Sequence, residues 1–228
     1  MRLKKLYDNK LLDRLIRPVA YGSSQAVYAL DKKGAQVVAN ILGKWLHQIN
    51  WTSDYKRIKF LFLDHTLQIA EFKVNLDISL NNYSDLNLEF YKRGDKSLIR
   101  RVSDPRGKKK YVVVAPDAFF GLKSAEGKYY FFLEVDMGTE ALKRFAEKVI
   151  AYKEYWKNGK YSKDYGFNHF RVLTITKSEK RLLNLITATQ KANGKNMFLF
   201  TTFSAIEKDI FDPIWISPVI EEPITLLN

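Results

Sequence analysis

Residues 129–136 read Tyr129-Tyr130-Phe131-Phe132-Leu133-Glu134-Val135-Asp136, an apolar run that ends on two carboxylates one residue apart. A second run, Tyr111-Val112-Val113-Val114-Ala115, ends on Pro116-Asp117. Aromatic and β-branched runs of this length read as strands. Carboxylates at the ends of such strands gather at one rim of a sheet. Alternation along the strand points Glu134 and Asp136 to the same face. Acids on a rigid edge suit a hard divalent cation, Mg²⁺ or Mn²⁺. Asp117, Glu134 and Asp136 are therefore the candidate metal ligands and candidate catalytic acids.

Working outward, Thr139 is placed to cap a helix running to about Lys157, with Leu142, Phe145, Val149, Tyr152 and Trp156 on its buried stripe. Residues 170–176 read as a strand, Ser178 opens a helix to about Lys191, and residues 197–203 read as a last strand. The tail, with Asp212-Pro213 and Ser217-Pro218, reads as irregular. Upstream, residues 67–78 have helical character and residues 86–91 form a short strand. Residues 92–110 read as a basic loop, and the Gly-punctuated segment between Asp117 and Tyr129 as a turn. The order from residue 67 is then α-β-β-β-α-β-α-β. Three strands, a crossover helix and one more strand form the core layout of the restriction-endonuclease-like (PD-(D/E)xK-type) α/β fold.

The first fifty residues read differently. Residues 2–8 form a short helix closed by Asn9. Residues 11–19 and 26–30 are the strands of a hairpin around Gly22. Asp31 caps a helix whose apolar positions are Val38, Ile41, Leu42, Trp45 and Leu46. Helix, hairpin and helix make the back half of a winged helix-turn-helix, hence a partial DNA-binding module over residues 1–50. Residues 50–56 read as a linker, and the nuclease-like domain as residues 57–228.

Charge bears on partners. Lys and Arg total 38 against 25 Asp and Glu, a formal net charge of +13. Residues 1–60 hold twelve bases against four acids, and residues 92–110 nine against two. Such an excess predicts a polyanionic partner, DNA first. Arg2, Lys4, Lys5, Lys10, Arg100, Arg101, Arg106, Lys108, Lys109 and Lys110 are the candidate phosphate contacts. The chain has no cysteine, which excludes disulfides and thiolate zinc sites. No apolar run approaches the roughly 18–20 residues that span a bilayer, and no signal peptide is visible. A soluble cytoplasmic protein without a membrane partner is expected. Phosphate-binding Gly-rich loops and a Gly-x-Ser-x-Gly elbow are absent, and no histidine cluster of the relaxase kind accompanies a tyrosine.

Several stretches resemble the replication-relaxation family of plasmids and related mobile elements. They are Tyr28-Ala29-Leu30 with Gly34-Ala35, His65-Thr66-Leu67, Pro116-Asp117-Ala118, Lys148 with Tyr152, and Phe200-Thr201-Thr202. The most specific is Glu134-Val135-Asp136-Met137-Gly138-Thr139-Glu140. The resemblance implies an N-terminal winged helix, a nuclease-like C-terminal domain and a role in plasmid replication or DNA relaxation.

One position departs from the usual nuclease pattern, which has lysine where this chain has Asp136. Either Asp136 is a third ligand, or Lys148 reaches back from the following helix to replace the lysine. His65 and Glu71 are accessory candidates, as a phosphate contact or proton shuttle and as a further acid. Two functions follow: a Mg²⁺-dependent enzyme that nicks or cuts DNA, or a non-catalytic replication, transfer or regulatory factor on the same fold. Partners beyond DNA would be a second copy of the chain and replication or conjugation proteins.

Overall fold

The computed structural model describes residues 2–17, 21–22, 24–49, 51, 60–94 and 96–227. The expected linker therefore lies, except for Trp51, outside the described residues, as do Val19 and Ala20 of the expected hairpin. The chain divides into two compact units, Met1–Asp64 and His65–Asn228.

The first unit holds α1 (Arg2–Asp8), β1 (Leu12–Ile16), β2 (Ala26–Leu30) and α2 (Lys32–Ile41). β1 and β2 pair antiparallel, Leu12 opposite Leu30 and Ile16 opposite Ala26. Lys10, not Asn9, takes the left-handed conformation after α1 (φ 59°), while the Asn9 amide donates to the Lys5 carbonyl. Asp31 caps α2 as expected, its side chain accepting from the Lys32 N–H. The buried face of α2 is Gly34, Ala35 and Ala39 rather than the larger apolar residues. A Cβ on Gly34 would stand 1.9 Å from the Leu11 carbonyl oxygen, so only glycine lets the first turn close on the chain entering β1. Gly43 at φ 61° follows the end of the helix, and Ile41, Leu42 and Trp45 are exposed.

The second unit is built on a seven-stranded mixed sheet. Its strands are β3 (Asn87–Arg93), β6 (Ala118–Lys123), β7 (Lys128–Asp136), β8 (Arg171–Thr176), β9 (Phe198–Thr202), β10 (Trp215–Ser217) and β11 (Ile220–Ile224), in the order β11-β10-β9-β8-β7-β6-β3. β3, β6 and β7 run antiparallel in turn. From β7 the chain crosses through α4 (Leu142–Lys157) and α5 (Lys160–Tyr165) to a parallel β8, then through α6 (Glu179–Lys191) to a parallel β9. A separate hairpin pairs β4 (Arg100–Ser103) with β5 (Tyr111–Val114). The preceding helix α3 spans Phe60–Leu80 and crosses the boundary between units.

Alternation sorts the side chains of the sheet. Phe119, Phe132, Val172, Phe198 and Phe200 face one core with Phe145, Val149 and Tyr152 of α4, Leu182 and Leu185 of α6, and Val102, Val112 and Val114 of the hairpin. Phe120, Phe131, Leu133, Val135, Leu173 and Ile175 face the other, with Phe72 and Leu76 of α3 and the tail residues Phe211 and Trp215. Helices on both faces of a largely apolar sheet make a three-layer α/β unit.

Several expectations are corrected. The strand at Tyr111 does not pair with β7; β6 lies between them in sequence and supplies the antiparallel neighbour. Gly121 reads as turn punctuation but sits inside β6, where a Cβ would come within 2.6 Å of the Phe90 ring. The basic loop contains β4, whose Val102 is buried. The tail is not irregular: β10 and β11 close one edge of the sheet, with Pro223 on the outermost strand, where its missing N–H is tolerated. On α4 the cap is Ala141, with no side-chain bond, and not Thr139. Tyr155 is buried there while Leu142 and Trp156, both expected on the buried stripe, are 37% and 49% exposed.

Candidate functional site

The site assembles at the C-terminal end of β7. Pro116-Asp117 leads from β5 into β6, and Asp117 is fastened to β7 twice. Its N–H donates to the Leu133 carbonyl at 2.8 Å, and its Oδ2 accepts from the Val135 N–H at 2.8 Å. Gly94 closes the other side. Its N–H donates to the Asp117 carbonyl at 2.6 Å, and a Cβ there would lie 2.2 Å from the Pro116 oxygen. His65 Nε2, from α3, lies 3.2 Å from Asp117 Oδ2. That hydrogen bond raises the pKa of the His65 imidazole and favours its charged form.

Glu134 points to the face covered by α4 and is almost wholly buried. Lys148 Nζ donates to its Oε2 at 2.9 Å, and the Tyr152 hydroxyl to its Oε1 at 2.6 Å. Lys148 and Tyr152 stand four apart on α4, so one side of the helix presents both. Lys148 thus reaches back from the helix to the acid on β7. Glu140 gives it a second carboxylate, Oε2 at 3.2 Å from Nζ. Burial raises the pKa of Glu134, and the charge of Asp117 adds to the rise against the pull of Lys148. Burial by itself would lower the pKa of Lys148, but Glu134, Glu140 and Asp117 outweigh it and raise it, so the ammonium stays charged through neutral pH. Burial and Glu134 likewise raise the pKa of Tyr152, which keeps its phenol a donor.

Asp136 shares the face of Glu134, as alternation requires, but serves α6 instead. Arg181 binds it with two nitrogens, Nε to Oδ2 at 2.9 Å and a terminal nitrogen to Oδ1 at 2.8 Å. Thr176 and the Gly138 N–H also donate to Oδ2, at 2.7 Å and 3.1 Å. Burial opposes ionisation of Asp136, yet Arg181 and Thr176 hold its pKa below the usual carboxylate range. Arg181 also donates to the Glu140 carbonyl at 2.6 Å. The run from Glu134 to Glu140 therefore folds into one device: Asp136 anchors the turn, Gly138 at φ 78° reverses it, and Glu140 returns to Lys148.

The other candidates divide. Glu71 is exposed on α3, six residues and so about 240° around the helix from His65, and among the described residues it has no bond to this group. Arg106 is folded inward on Asp104, with Nε at 2.8 Å from Oδ1, and Lys109 Nζ lies 2.7 Å from Glu147 of α4. Arg100 binds Asp164 at 2.7 Å. Three of the loop's cations are thus committed within the unit, whereas Arg101, Lys108 and Lys110 are exposed. Arg2, Lys4, Lys5 and Lys10 are exposed in the first unit.

Sequence reading missed Gly94 and Arg181, and gave Glu140 no role beyond its place in the Glu134–Glu140 run. Gly94 has no local signal, because its role lies in a backbone approach from residues far along the chain. Arg181 does follow the capping serine of α6, but nothing in the sequence ties it to Asp136.

Among the described residues, no three His, Cys, Asp or Glu side chains converge as a metal cage. Mg²⁺ binds through one or two carboxylates and keeps waters and phosphate oxygens for the rest. Asp117 acts electrostatically on Glu134, whereas Asp136 is held by Arg181. Among the described residues no helix is long and apolar enough to cross a membrane.

No curated protein and no solved structure matches the chain. A family model described as replication-relaxation matches residues 1–170, which takes in the first unit, the Pro116-Asp117 step, Glu134–Glu140 and α4. The chain belongs to the replication-relaxation family.

Proposed function

We propose that this protein acts on DNA in the replication of a plasmid or mobile element, and that its larger unit is a restriction-endonuclease-like centre that nicks or cuts the strand with Mg²⁺ or Mn²⁺. One observation carries this reading: Lys148 lies 2.9 Å from Glu134, supplying from α4 the cation that Asp136 fails to supply from β7. The order of α3, the antiparallel β3, β6 and β7, crossover α4 and parallel β8 supports the fold assignment.

In this reading Asp117 and Glu134 would hold the cation, which when bound supplies Lewis-acid stabilisation and a more acidic water. The Val135 N–H and His65 fix the rotamer of Asp117, and Tyr152 fixes that of Glu134. Charged Lys148 offsets developing negative charge on the phosphate rather than taking a proton. Hydrolysis adds water across one P–O bond: the proton of the attacking water would pass to solvent, and protonated His65 would return one to the departing oxygen and be reprotonated from solvent. The exposed cations of α1, with the helix-hairpin-helix of the first unit as a partial winged helix, would add phosphate contacts.

A second reading has one observation in its favour. Both Glu134 oxygens already have donors, so the centre is satisfied as it stands and would suit a non-catalytic DNA-holding factor. Thermal melting separates the two. Millimolar Mg²⁺ or Mn²⁺ should raise the melting temperature as RT ln(1 + [L]/Kd), and Asp117→Asn should remove the gain. Absence of any shift, with or without DNA, leaves the DNA-holding reading alone.

A further inference from the structure

Beside Lys148, between β5 and α4, lies a cleft of about 240 Å³. Its charged lining is Lys109, Arg144 and Lys148 against one acid, Glu147. Its apolar lining includes Tyr111, Val113 and Ala115. Tyr111 and Val113 are each more than two-fifths exposed, although their neighbours Val112 and Val114 are buried in the core. The Lys110 ammonium lies over the Tyr111 ring, 5.4 Å from its centre, which leaves the opposite face for a base. The wall is firm. Asp104 accepts from the Arg106 and Lys109 backbone N–H groups at the hairpin tip, and Lys109 is tied across to Glu147. The cleft also has a direction, since β5 continues through Ala115 and Pro116 into Asp117.

An aromatic face beside cations is the chemistry of a nucleotide seat, with the base on the ring and the phosphate on the cations. Bases in a duplex have both faces stacked and cannot offer one to Tyr111; an unpaired base can.

We propose that this cleft seats one nucleotide of an unpaired DNA strand, its base on Tyr111 and its phosphate on Arg144, with the strand continuing toward Lys148. The seat rests on the DNA-handling reading above and narrows its substrate to single-stranded or locally opened DNA.

Fluorescence anisotropy with a labelled oligothymidylate and a blunt duplex of equal length tests it, in EDTA so that cleavage plays no part. The wild type should bind the single strand more tightly. Tyr111→Ala should weaken single-strand binding roughly tenfold while leaving duplex binding unchanged, and Tyr111→Phe should retain it. Arg144→Ala should lower the single-strand salt slope by about 0.7. Equal losses on both DNA forms, or no loss from Tyr111→Ala, overturn the seat. Failure to bind either form overturns the DNA-handling reading as well. Tyr111-dependent binding without any plasmid nicking upholds the seat while removing only the catalytic claim.

Discussion

Replacing Lys148 with methionine keeps most of the side-chain volume and removes the cation from Glu134. Taking one partner from a fully buried ion pair costs about 3–5 kcal/mol. Lys148 is 32% exposed, so water screens part of its charge, and the Tyr152 hydroxyl still serves one oxygen. A loss of about 2–3 kcal/mol at neutral pH is the reasonable value, or roughly 5–10 °C in melting temperature for a chain of this size. The pH dependence is the sharper signature. Burial already raises the folded-state pKa of Glu134, and losing Lys148 raises it further. A carboxyl whose folded pKa lies above its unfolded value contributes stability that is complete below the unfolded value and is lost as pH rises through the folded one. The variant should therefore approach the wild type near pH 5 and fall behind it toward pH 8, by at most about 1.4 kcal/mol per pH unit for one proton. Calorimetric melting across that range reads it directly. A deficit that stays constant with pH would refute the claim that Lys148 neutralises a buried Glu134 carboxylate.

Phe145→Ala, in the core under α4, should cost about 3–5 kcal/mol in a denaturant titration, whereas Trp156→Ala, at a half-exposed position, should cost about 1 kcal/mol or less. Gly94→Ala should push the Pro116–Asp117 backbone off Gly94 and so weaken metal binding and any cleavage, a loss that titration calorimetry with Mn²⁺ would register. Joint replacement of Lys108 and Lys110 by alanine should reduce the slope of log affinity for duplex DNA against log salt by about two units, while Lys109→Ala adds less because Glu147 already holds that ammonium.

Much of this architecture can be read from the sequence. The runs at 129–136 and 170–176 and the helix ending near Lys157 declare themselves by length and periodicity, and Ser178 and Asp31 cap the helices they precede. β6 escapes because Gly121 disguises it; the glycine is there to admit the Phe90 ring, a partner thirty-one residues away. β4 escapes because a basic stretch hides one buried valine. At the site, Lys148 follows from its place on α4, but Asp117 reaches β7 at the entry to β6, the strand that the sequence conceals, and not through a pairing of the two apolar runs. The division of labour between Glu134 and Asp136 does not follow. Alternation puts both on one face, and only the third dimension assigns one to α4 and the other to Arg181 of α6.

Asp117, Glu134 and Lys148 are proposed as a working nuclease centre. Incubation of supercoiled plasmid with the purified protein and Mg²⁺ or Mn²⁺ tests it most directly, with the nicked and linear forms separated on a gel. The wild type should nick in a metal-dependent way that EDTA, Asp117→Ala and Glu134→Gln each abolish, while Glu71→Gln leaves it intact. Plasmid that stays supercoiled with either metal, or nicking that survives Asp117→Ala, would contradict it.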